Sequence, residues 1–459
     1  MALVTSSLFL ALSMILSSEG QDLLDPCLSS HRMQQLMDSE SNLLKFLNQT
    51  FSDRAKLSGE SHYEKLSRSA SRFLAVLPEN NNDVVDPLRT FLGIKRFLSY
   101  YGKFFTHKKD KDVFGAVQRS LEKQKMKYPD KASLGYSIDA ILRLMTAYDL
   151  DFDGMENSSG VSLSSEDKKN IMQRAKEFGL EAKGSGNGKK FIEKKSRHQV
   201  TDTDMTKYNN LCRLSRHNSY TPDNRLSCSY AKGLSGLAVW KQEVLSRDPY
   251  IAVFYDVITK REATSIMNTG AKILEGSGVM GKNKTSLLHH RLSASSWLWD
   301  NHTDTTLNLS RRVEEITSLR TEFRDHGTLA EPFQIVNYGL GGHYFPHMDY
   351  HLQHVIDAQY GVLENSGDRL ATFMYYLSDV KEGGATVFPE LSVAIFPVKL
   401  SAVFWYNFKI DGERDTRTLH GACPVMGGQK WIATKWIRQL SGGLSSTCEL
   451  SETPPPFFR

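Results

Sequence analysis

The sequence predicts an α+β protein of several domains, in which a helical N-terminal half precedes a β-rich C-terminal half. Between about 27 and 155, apolar residues recur at spacings of three and four, as on one face of a helix. From about 205 onward, short runs rich in Val, Ile, Tyr and Phe are interrupted by Gly and Pro. The segment Gly184–Lys190 between them, rich in Gly, Ser and Lys, predicts a flexible, basic linker at a domain boundary.

The N-terminal residues predict a secretory signal peptide over 1–20. Ala2–Ile15 are apolar or small, and the small-residue stretch Ser17–Gly20 follows as a cleavage region. A membrane anchor is the alternative, but the apolar run is shorter than the roughly 20 residues that a spanning helix needs. No later segment is apolar enough to cross a bilayer, so we expect no membrane span. The formal net charge of +5 is small for 459 residues and does not argue for nucleic acid or a membrane surface as a partner.

Five cysteines and five N-x-S/T sequons fit a secretory route. In an oxidising compartment, proximity in sequence predicts two local disulfides, Cys212–Cys228 and Cys423–Cys448, and leaves Cys27 unpaired. Free buried thiols are the alternative for some of these residues. The sequons begin at Asn48, Asn157, Asn283, Asn301 and Asn308.

The helical half begins with two amphipathic runs. The first is interrupted by Glu40, and the loop-like stretch Pro78–Asp83 follows the second. Two such helices predict an antiparallel hairpin, a dimerising coiled coil or a plain helical bundle, and the pattern does not choose among them. The apolar positions are Met33, Leu36, Met37, Leu43, Leu44 and Leu47, then Tyr63, Leu66, Ala70, Phe73 and Leu74. Further helices are predicted over Pro87–Tyr101, Val113–Lys127 and Leu134–Tyr148, and one begins at Ser164–Asp167.

The C-terminal half contains many short strand-like runs and few helices, which predicts a sandwich or a barrel. The strands are predicted at Ile251–Tyr255, Phe333–Tyr338, Thr372–Leu377, Ala394–Phe396, Ala402–Tyr406 and Trp431–Trp436. Helices are predicted near Lys260–Leu274 and Ser310–Phe323.

One constellation in the β-rich half predicts a metal site. His347 and Asp349 are two residues apart, and on a strand such side chains point to the same face. With His420 from a later strand they form a two-histidine, one-carboxylate triad, which suits non-haem Fe(II) and leaves coordination positions open. Each residue alone is unspecific, because a lone His-x-Asp is common by chance. The neighbouring His343, His351 and His354 are interpreted as surface or loop residues.

Lys430, ten positions after His420, predicts a binding site for a 2-oxo acid. A bidentate 2-oxo acid occupies two open positions on the iron, and its far carboxylate needs a cation at the end of the pocket. Tyr338, on the strand that approaches His347, is predicted to add a hydroxyl to the same pocket. Lys430 alone is more often a solvated strand residue, so the prediction depends on the joint order of the four residues.

These residues stand in longer segments that resemble collagen-type prolyl 4-hydroxylase α subunits, which are Fe(II)- and 2-oxoglutarate-dependent dioxygenases. The resemblance runs from about 208 to 448, and the helical half is similar more diffusely. The similar segments are Asn337–Asp349, Asp368–Val380, Gly383–Pro389, Ala402–Asn407, His420–Val425, Lys430–Trp431 and Lys435–Trp436, with Arg291–Trp297 near the active-site mouth, and Pro87–Phe97 and Tyr128–Leu150 in the helical half.

The resemblance implies a double-stranded β-helix (jelly-roll) catalytic domain that hydroxylates peptidyl proline at C4 in procollagen-type or other proline-rich substrates. The reaction is coupled to oxidative decarboxylation of 2-oxoglutarate to succinate, with Fe(2+), O2 and L-ascorbate as cofactors. The resemblance also implies the same two disulfides that proximity predicts. It further implies an α2β2 assembly in the endoplasmic reticulum lumen, with protein disulfide isomerase as the β subunit that retains the complex, because Pro456–Arg459 is not a K-D-E-L-type signal.

The predicted domains are a signal peptide over 1–20, a helical dimerisation region over 21–155, a truncated TPR-like remnant with the linker over 156–200, and the catalytic domain over 201–459. Phe345 stands where the family usually has Glu, and Leu419 stands where it usually has Arg, so we expect these two residues to tune substrate choice.

Two alternatives to a prolyl hydroxylase follow from the same residues. The first is hydroxylation of another peptidyl residue such as lysine, although lysyl hydroxylases have Arg where this chain has Lys430. The second is a non-catalytic subunit of the same fold, against which the intact set of four residues argues. Proline in a polyproline II chain suits an aromatic groove, for which Tyr344, Trp297 and Trp405 are candidates, with a core position as the alternative for each.

Overall fold

The computed structural model describes residues 30–75, 86–101, 129, 131–177, 179–184, 186–193, 201–222, 227–277, 290–321, 323–324, 327–351 and 367–439. The predicted signal peptide, Cys27, Cys448, His354, the sequon at Asn283 and the helix predicted over 113–127 lie outside these residues. Within the described ranges, no helix is long and apolar enough to cross a membrane.

Helices dominate the first half of the described chain and strands the second, as the sequence predicts. The helices are α1 (Ser30–Ser58), α2 (Ser61–Ala75), α3 (Pro87–Arg96), α4 (Lys131–Ala147), α5 (Phe152–Ser159), α6 (Ser165–Glu177), α7 (Asp202–Leu214), α8 (Lys260–Ala271) and α9 (Asp304–Thr317); a π-helical turn, Phe97–Tyr101, follows α3. The strands are β1 (Leu180–Lys183), β2 (Lys190–Glu193), β3 (Ser227–Lys232), β4 (Val239–Arg247), β5 (Tyr250–Tyr255), β6 (Glu275–Gly276), β7 (Arg291–Leu292), β8 (Ala294–Leu298), β9 (Phe323–Arg324), β10 (Gly327–Thr328), β11 (Phe333–Tyr338), β12 (His343–His347), β13 (Arg369–Tyr376), β14 (Val380–Gly383), β15 (Thr386–Phe388), β16 (Val393–Ile395), β17 (Ala402–Tyr406), β18 (His420–Ala422), β19 (Val425–Gly428) and β20 (Lys430–Arg438).

Helices α1 and α2 form an antiparallel hairpin. The rings of Phe51 and Tyr63 stack with their centroids 6.2 Å apart, and the Ser67 hydroxyl donates to Asn48 Oδ1 over 2.8 Å. Contacts that pair earlier residues of α2 with later residues of α1 require the two helices to run in opposite directions. Of the three arrangements that the periodicity allows, the structure contains the hairpin.

Glu40 interrupts the apolar stripe of α1 because it forms a buried ion pair. Its carboxylate is fully buried, and both oxygens accept from the Arg96 guanidinium at 3.0 Å. A buried carboxylate is tolerated when such a bidentate partner compensates for its lost hydration. The pair ties α1 to the end of α3.

The segment predicted as a flexible linker is instead a β-hairpin. Strands β1 and β2 pair antiparallel, and their connection includes Gly184 in the left-handed region with φ of +99°. Phe191 is buried, and its ring packs edge-on against Phe152 with centroids 6.1 Å apart. The prediction was wrong because glycine-rich composition is as typical of a tight turn as of a linker.

Two antiparallel sheets form the β-rich half. The large sheet has nine strands in the order β3-β4-β5-β17-β13-β20-β11-β8-β6, and the smaller sheet has five in the order β16-β15-β18-β12-β7. Strands β14 and β19 form a separate pair. A shared apolar cluster fills the space between the sheets, with Met374 and Trp405 from the large sheet and Phe388 and Ala422 from the small one.

Alternation along the strands separates the two faces of the large sheet. On β13, Met374 and Tyr376 point toward the small sheet, whereas Phe373 and Tyr375 join a second cluster that contains residues of α8 and α9. Helix α9 begins earlier than predicted because Thr303 caps it in a reciprocal capping box. The large sheet is therefore covered by helices on one face and by the small sheet on the other.

The helical half packs against the outer face of the small sheet. The Tyr208 hydroxyl of α7 donates to Ala422 O over 2.8 Å, and the Tyr148 hydroxyl donates to Pro424 O over 2.6 Å. A Cβ built on Gly341 would lie 3.0 Å from Ala140 Cβ, so α4 touches the turn that leads into β12. These contacts place the helices directly behind the strands that carry the candidate site.

The structure corrects the disulfide pairing. Cys212 is joined to Cys423 across a sequence separation of 211, with a Cα–Cα distance of 5.5 Å, and Cys228 is an exposed free thiol. The predicted pairs 212–228 and 423–448 are therefore both wrong in this structure, since Cys423 already has a partner. The cause is tertiary: α7 lies across the β18–β19 turn, whereas β3, which carries Cys228, is the edge strand of the large sheet.

Candidate metal centre

Two neighbouring strands bring the three predicted metal ligands together. Strands β12 and β18 pair antiparallel with His347 opposite His420, and Asp349 follows β12 by two residues. One ligand atom from each residue lies within 4.8 Å of the others. Asp349 carboxylate oxygens are 3.9 Å from His347 Nε2 and 3.7 Å from His420 Nε2. The described residues contain no other such cluster of three His, Cys, Asp or Glu.

Backbone carbonyls orient both imidazoles. His347 Nδ1 is 2.9 Å from Phe345 O, and His420 Nδ1 is 3.0 Å from Thr418 O. A carbonyl oxygen only accepts, so Nδ1 carries the proton in these bonds and Nε2 presents a lone pair to the site. Burial, reinforced by His420, holds the pKa of His347 well below its usual range. The imidazole is therefore neutral near pH 7, which is the form that binds a metal ion.

The Asp349 carboxylate is buried and held from one side. Its Oδ2 accepts a hydrogen bond of 2.7 Å from the Thr372 hydroxyl on β13. Thr372 was not among the predicted site residues, although it lies in the similar segment Asp368–Val380 and on the inward face of its strand. The donor set of two imidazole nitrogens and one carboxylate oxygen fits Fe(II), as predicted from the motif.

Lys430 lies in the same inter-sheet space and has no carboxylate partner among the described residues. Its side chain is 1% exposed, and burial lowers the pKa of its amine to about 7. The amine donates to Thr386 Oγ1 over 3.4 Å and lies 5.3 Å from the centre of the Tyr338 ring. Tyr338 stands directly opposite Lys430 on β11. A buried amine without a counter-charge gains stability when an anion binds beside it.

Thr386, which was not among the predicted site residues, adds a further polar group. Its hydroxyl oxygen accepts from the Tyr376 hydroxyl over 2.9 Å and from Lys430, which leaves its own proton to donate. Gly384, whose φ of +70° favours glycine, lies beside the lysine, since a Cβ built there would be in ordinary contact with Lys430 Cδ at 3.5 Å. The end of the pocket therefore offers a cation and a hydroxyl side by side.

Two of the three aromatic residues suggested for a substrate groove fit that prediction. The Tyr344 ring stacks on His347 with centroids 3.4 Å apart, and the Arg291 guanidinium lies over the Tyr344 ring, 4.7 Å from its centre. Trp297 is 42% exposed, and its ring lies 5.9 Å from that of Trp436. Of the three aromatic residues suggested for a substrate groove, Trp405 is excluded because it is 1% exposed within the inter-sheet core.

The interpretation of His343 and His351 as surface or loop residues needs correction. His343 is a buried residue of β12, whereas His351 lies in a loop but is buried, with its Nδ1 paired with Asp368 over 2.6 Å. Phe345 packs against Tyr208 of α7, with ring centroids 5.8 Å apart. Phe345 thus takes part in holding β12 against the helical half.

Comparisons with known proteins define the class. Residues 333–438 match the 2OG-Fe(II) oxygenase superfamily, and residues 29–159 match the prolyl 4-hydroxylase alpha-subunit, N-terminal region. The C-terminal half therefore contains a 2OG-Fe(II) oxygenase domain, of a class that uses Fe(II), 2-oxoglutarate and dioxygen.

The relatives narrow the class from the oxygenase superfamily to prolyl 4-hydroxylase α subunits. Prolyl 4-hydroxylase subunit alpha-1 of Mus musculus is 34% identical over 291 residues, which are 61% of this chain and 53% of that protein. Subunit alpha-2 of Caenorhabditis elegans is 38% identical over 233 residues, or 50% and 42%. The predicted resemblance to prolyl 4-hydroxylase α subunits is thus confirmed, and the chain spans about half the length of these relatives. A solved viral collagen prolyl hydroxylase from Paramecium Bursaria Chlorella virus-1 is 24% identical, with a TM-score of 0.32 over 41% of this chain and 95% of that one.

Proposed function

We propose that this chain is a peptidyl-proline 4-hydroxylase of the collagen type, with Fe(II) bound by His347, Asp349 and His420 and 2-oxoglutarate anchored by Lys430. The observation that carries the proposal is the pairing of two features in the space between the sheets. Three ligand atoms lie within 4.8 Å of one another, and the buried Lys430 amine, which has no carboxylate partner in the described part of the chain, lies among aromatic residues of the same inter-sheet cluster. A buried lysine does not help to bind an Fe(II) ion, because both are cations. A dicarboxylate co-substrate can bind to the metal at one end and pair with the lysine at the other, so it accounts for both features.

Each residue has a defined task in this proposal. When bound, Fe(II) and 2-oxoglutarate together supply the oxygen activation that attacks an unreactive C–H bond, and ascorbate keeps the metal reduced. The neutral imidazoles and the carboxylate hold the metal while leaving positions open. Lys430 binds the far carboxylate of the co-substrate, and Thr386 and Tyr338 offer hydroxyls beside it. Burial between the sheets excludes water from the reacting groups.

The substrate is a proline-rich, collagen-like peptide. Both relatives compared above are named prolyl 4-hydroxylases. Tyr344, stacked on His347, and Trp297, exposed beside Trp436, provide aromatic faces that suit the apolar rings of a polyproline II chain.

The finer architecture and the cellular setting belong to the same proposal. The β-rich half, from 201 onward, is a double-stranded β-helix, supported by two antiparallel sheets that share one core. The helices before 156 are a dimerisation region, 156–200 is a shortened TPR-like remnant, and protein disulfide isomerase is the β subunit of an α2β2 assembly. The setting is the endoplasmic reticulum lumen, reached through the signal peptide over 1–20. Three sequon residues are exposed, which fits a glycoprotein: Asn157, Asn301 and Asn308. Asn48 is half-buried, and its side-chain oxygen accepts a hydrogen bond from Ser67 of the neighbouring helix.

The test uses the full chain co-expressed with protein disulfide isomerase. We expect Fe(II)-, 2-oxoglutarate- and ascorbate-dependent release of succinate with a Pro-Pro-Gly repeat peptide, and mass spectrometry should place one oxygen on proline. The His347→Ala variant is the matched control. Oxygen added to lysine in a mixed peptide would favour the lysyl alternative. Intact metal binding without turnover of either peptide would favour a non-catalytic subunit.

A further inference from the structure

We infer that Trp405 is a positioning residue of the metal centre, which acts on two of the three ligands through its indole. The inference rests on the proposed function, because it concerns how this chain holds a metal ion at His347, Asp349 and His420. Trp405 is fully buried on β17, on the face of the large sheet that looks toward the small sheet. It therefore cannot act as a surface aromatic residue.

The first action is a directed chain of hydrogen bonds to Asp349. Trp405 Nε1 donates to Asn407 Oδ1 over 2.9 Å, and Asn407 Nδ2 donates to Thr372 Oγ1 over 3.0 Å. The Thr372 hydroxyl then donates to Asp349 Oδ2 over 2.7 Å. All four side chains are buried, so solvent does not compete for these bonds.

The direction of the chain follows from the chemistry of its first member. An indole nitrogen only donates, so Asn407 must present its oxygen to Trp405 and its amide hydrogens to Thr372. A second amide hydrogen is used by Arg369 O at 3.2 Å, which supports the same orientation. Since Thr372 accepts from Asn407, its own proton is free for Asp349. One carboxylate oxygen is thereby committed, and Oδ1 accepts no hydrogen bond from the described residues.

The second action is direct packing on a histidine. The Trp405 ring lies 4.8 Å from the His420 ring at an angle of 62°, and the Phe388 ring lies 5.7 Å from His420 on the small sheet. Rotation of the imidazole is therefore restricted by rings, while Thr418 O fixes its Nδ1. Trp405 thus couples the orientation of His420 to that of Asp349, although the two ligands come from different segments of the chain.

The test measures metal affinity without co-substrate or turnover. Co(II) is titrated into the metal-free full chain under anaerobic conditions, and its visible absorption reports the ligand geometry. Thr372→Val removes the hydroxyl at constant shape and should weaken Co(II) binding by about 10- to 100-fold, which is typical when a partner of a metal ligand is lost. Thr372→Ser keeps the hydroxyl and should restore affinity and spectrum. Thermal unfolding of the metal-free variants checks that each is folded.

Trp405→Phe keeps a ring against His420 and removes the indole donor. It should weaken Co(II) binding in the same direction as Thr372→Val. In the double variant, the loss of Co(II)-binding free energy should be markedly smaller than the sum of the two single losses, because both residues act through one chain. Wild-type affinity in Thr372→Val, failure of Thr372→Ser to rescue, or strict additivity would overturn the inference. Absence of Co(II) binding in the wild-type chain would instead sink the proposed metal site itself.

Discussion

Replacing Lys430 by Met tests the co-substrate site most directly. Methionine has a similar length and no charge, so it removes the cation with little change in volume. The amine has no carboxylate partner among the described residues, so any anion bound there has Lys430 as its charge partner. Removing one member of a buried charge pair costs about 2–5 kcal/mol. We therefore expect 2-oxoglutarate to bind roughly 30- to 5,000-fold more weakly, since each 1.4 kcal/mol is tenfold.

The pH dependence of binding gives the sharper measurement. Burial lowers the pKa of Lys430 to about 7, and only the protonated amine attracts a carboxylate. In the wild-type chain, 2-oxoglutarate affinity should be highest below pH 7 and should fall about tenfold per pH unit above it. The decline stops where the pKa of the complex is reached, because the bound anion raises the pKa of the amine. The Met variant should bind weakly at every pH.

Anaerobic titration calorimetry with metal-loaded protein, from about pH 6 to about pH 9, measures both effects. Lys430→Arg is the matched control, because a guanidinium stays charged over this range. Its affinity should show no decline with pH. A wild-type affinity that is flat with pH, or a Met variant that binds as tightly as wild type, would refute the assignment of Lys430.

Four further outcomes follow from the same structure. His347→Ala and Asp349→Ala should abolish turnover and metal binding, and metal retained by either variant on titration would contradict the ligand set. In the metal-free protein, the pKa of Lys430 is about 7, whereas its ordinary value is 10.5, so between these pH values the unfolded state binds more protons than the folded state. The free energy of unfolding should therefore rise with pH in that window. Chemical denaturation should show a smaller rise in the Lys430→Met variant. Non-reducing peptide mapping should recover Cys212 linked to Cys423, and an alkylating reagent should label Cys228 in the folded protein; a 212–228 peptide would contradict the structure. Glu40→Ala leaves Arg96 largely buried without its partner and should lower the free energy of unfolding by about 3 kcal/mol, measured with urea against the exposed control Glu64→Ala.

Local patterns in the sequence predicted the elements well where tertiary contacts did not modify them. Strands over Phe333–Tyr338 and Ala402–Tyr406 begin and end as predicted. The linker prediction failed because it used composition alone, and Phe191, whose burial anchors the hairpin, lies just past the glycine-rich run. The wrong limits of α9 have a similar origin, since the cap at Thr303 lies outside the apolar stripe.

Some residues of the candidate site were likewise predictable from local patterns, and others were not. The spacing of His347 and Asp349 was enough to predict a shared direction, and the structure brings His420 and Lys430 into the same inter-sheet space. Thr372 and Asn407 lie in segments that resemble the family, but no spacing in the sequence indicated that they form a chain to Asp349. Their function depends on the order β17-β13-β20 within the large sheet, which places strands distant in sequence side by side.

The sequence by itself determined the class of chemistry, because His347, Asp349, His420 and Lys430 together offer the ligands of an iron site and a cation for a 2-oxo acid. It also determined the succession of helices and strands, since apolar periodicity is a local property. Only the tertiary structure decided that Cys212 pairs with Cys423, that Trp405 lies in the core and that Lys430 is buried. The physical reason is that these facts depend on which distant surfaces exclude water together, and that choice is made by the packing of two sheets and the helices against them.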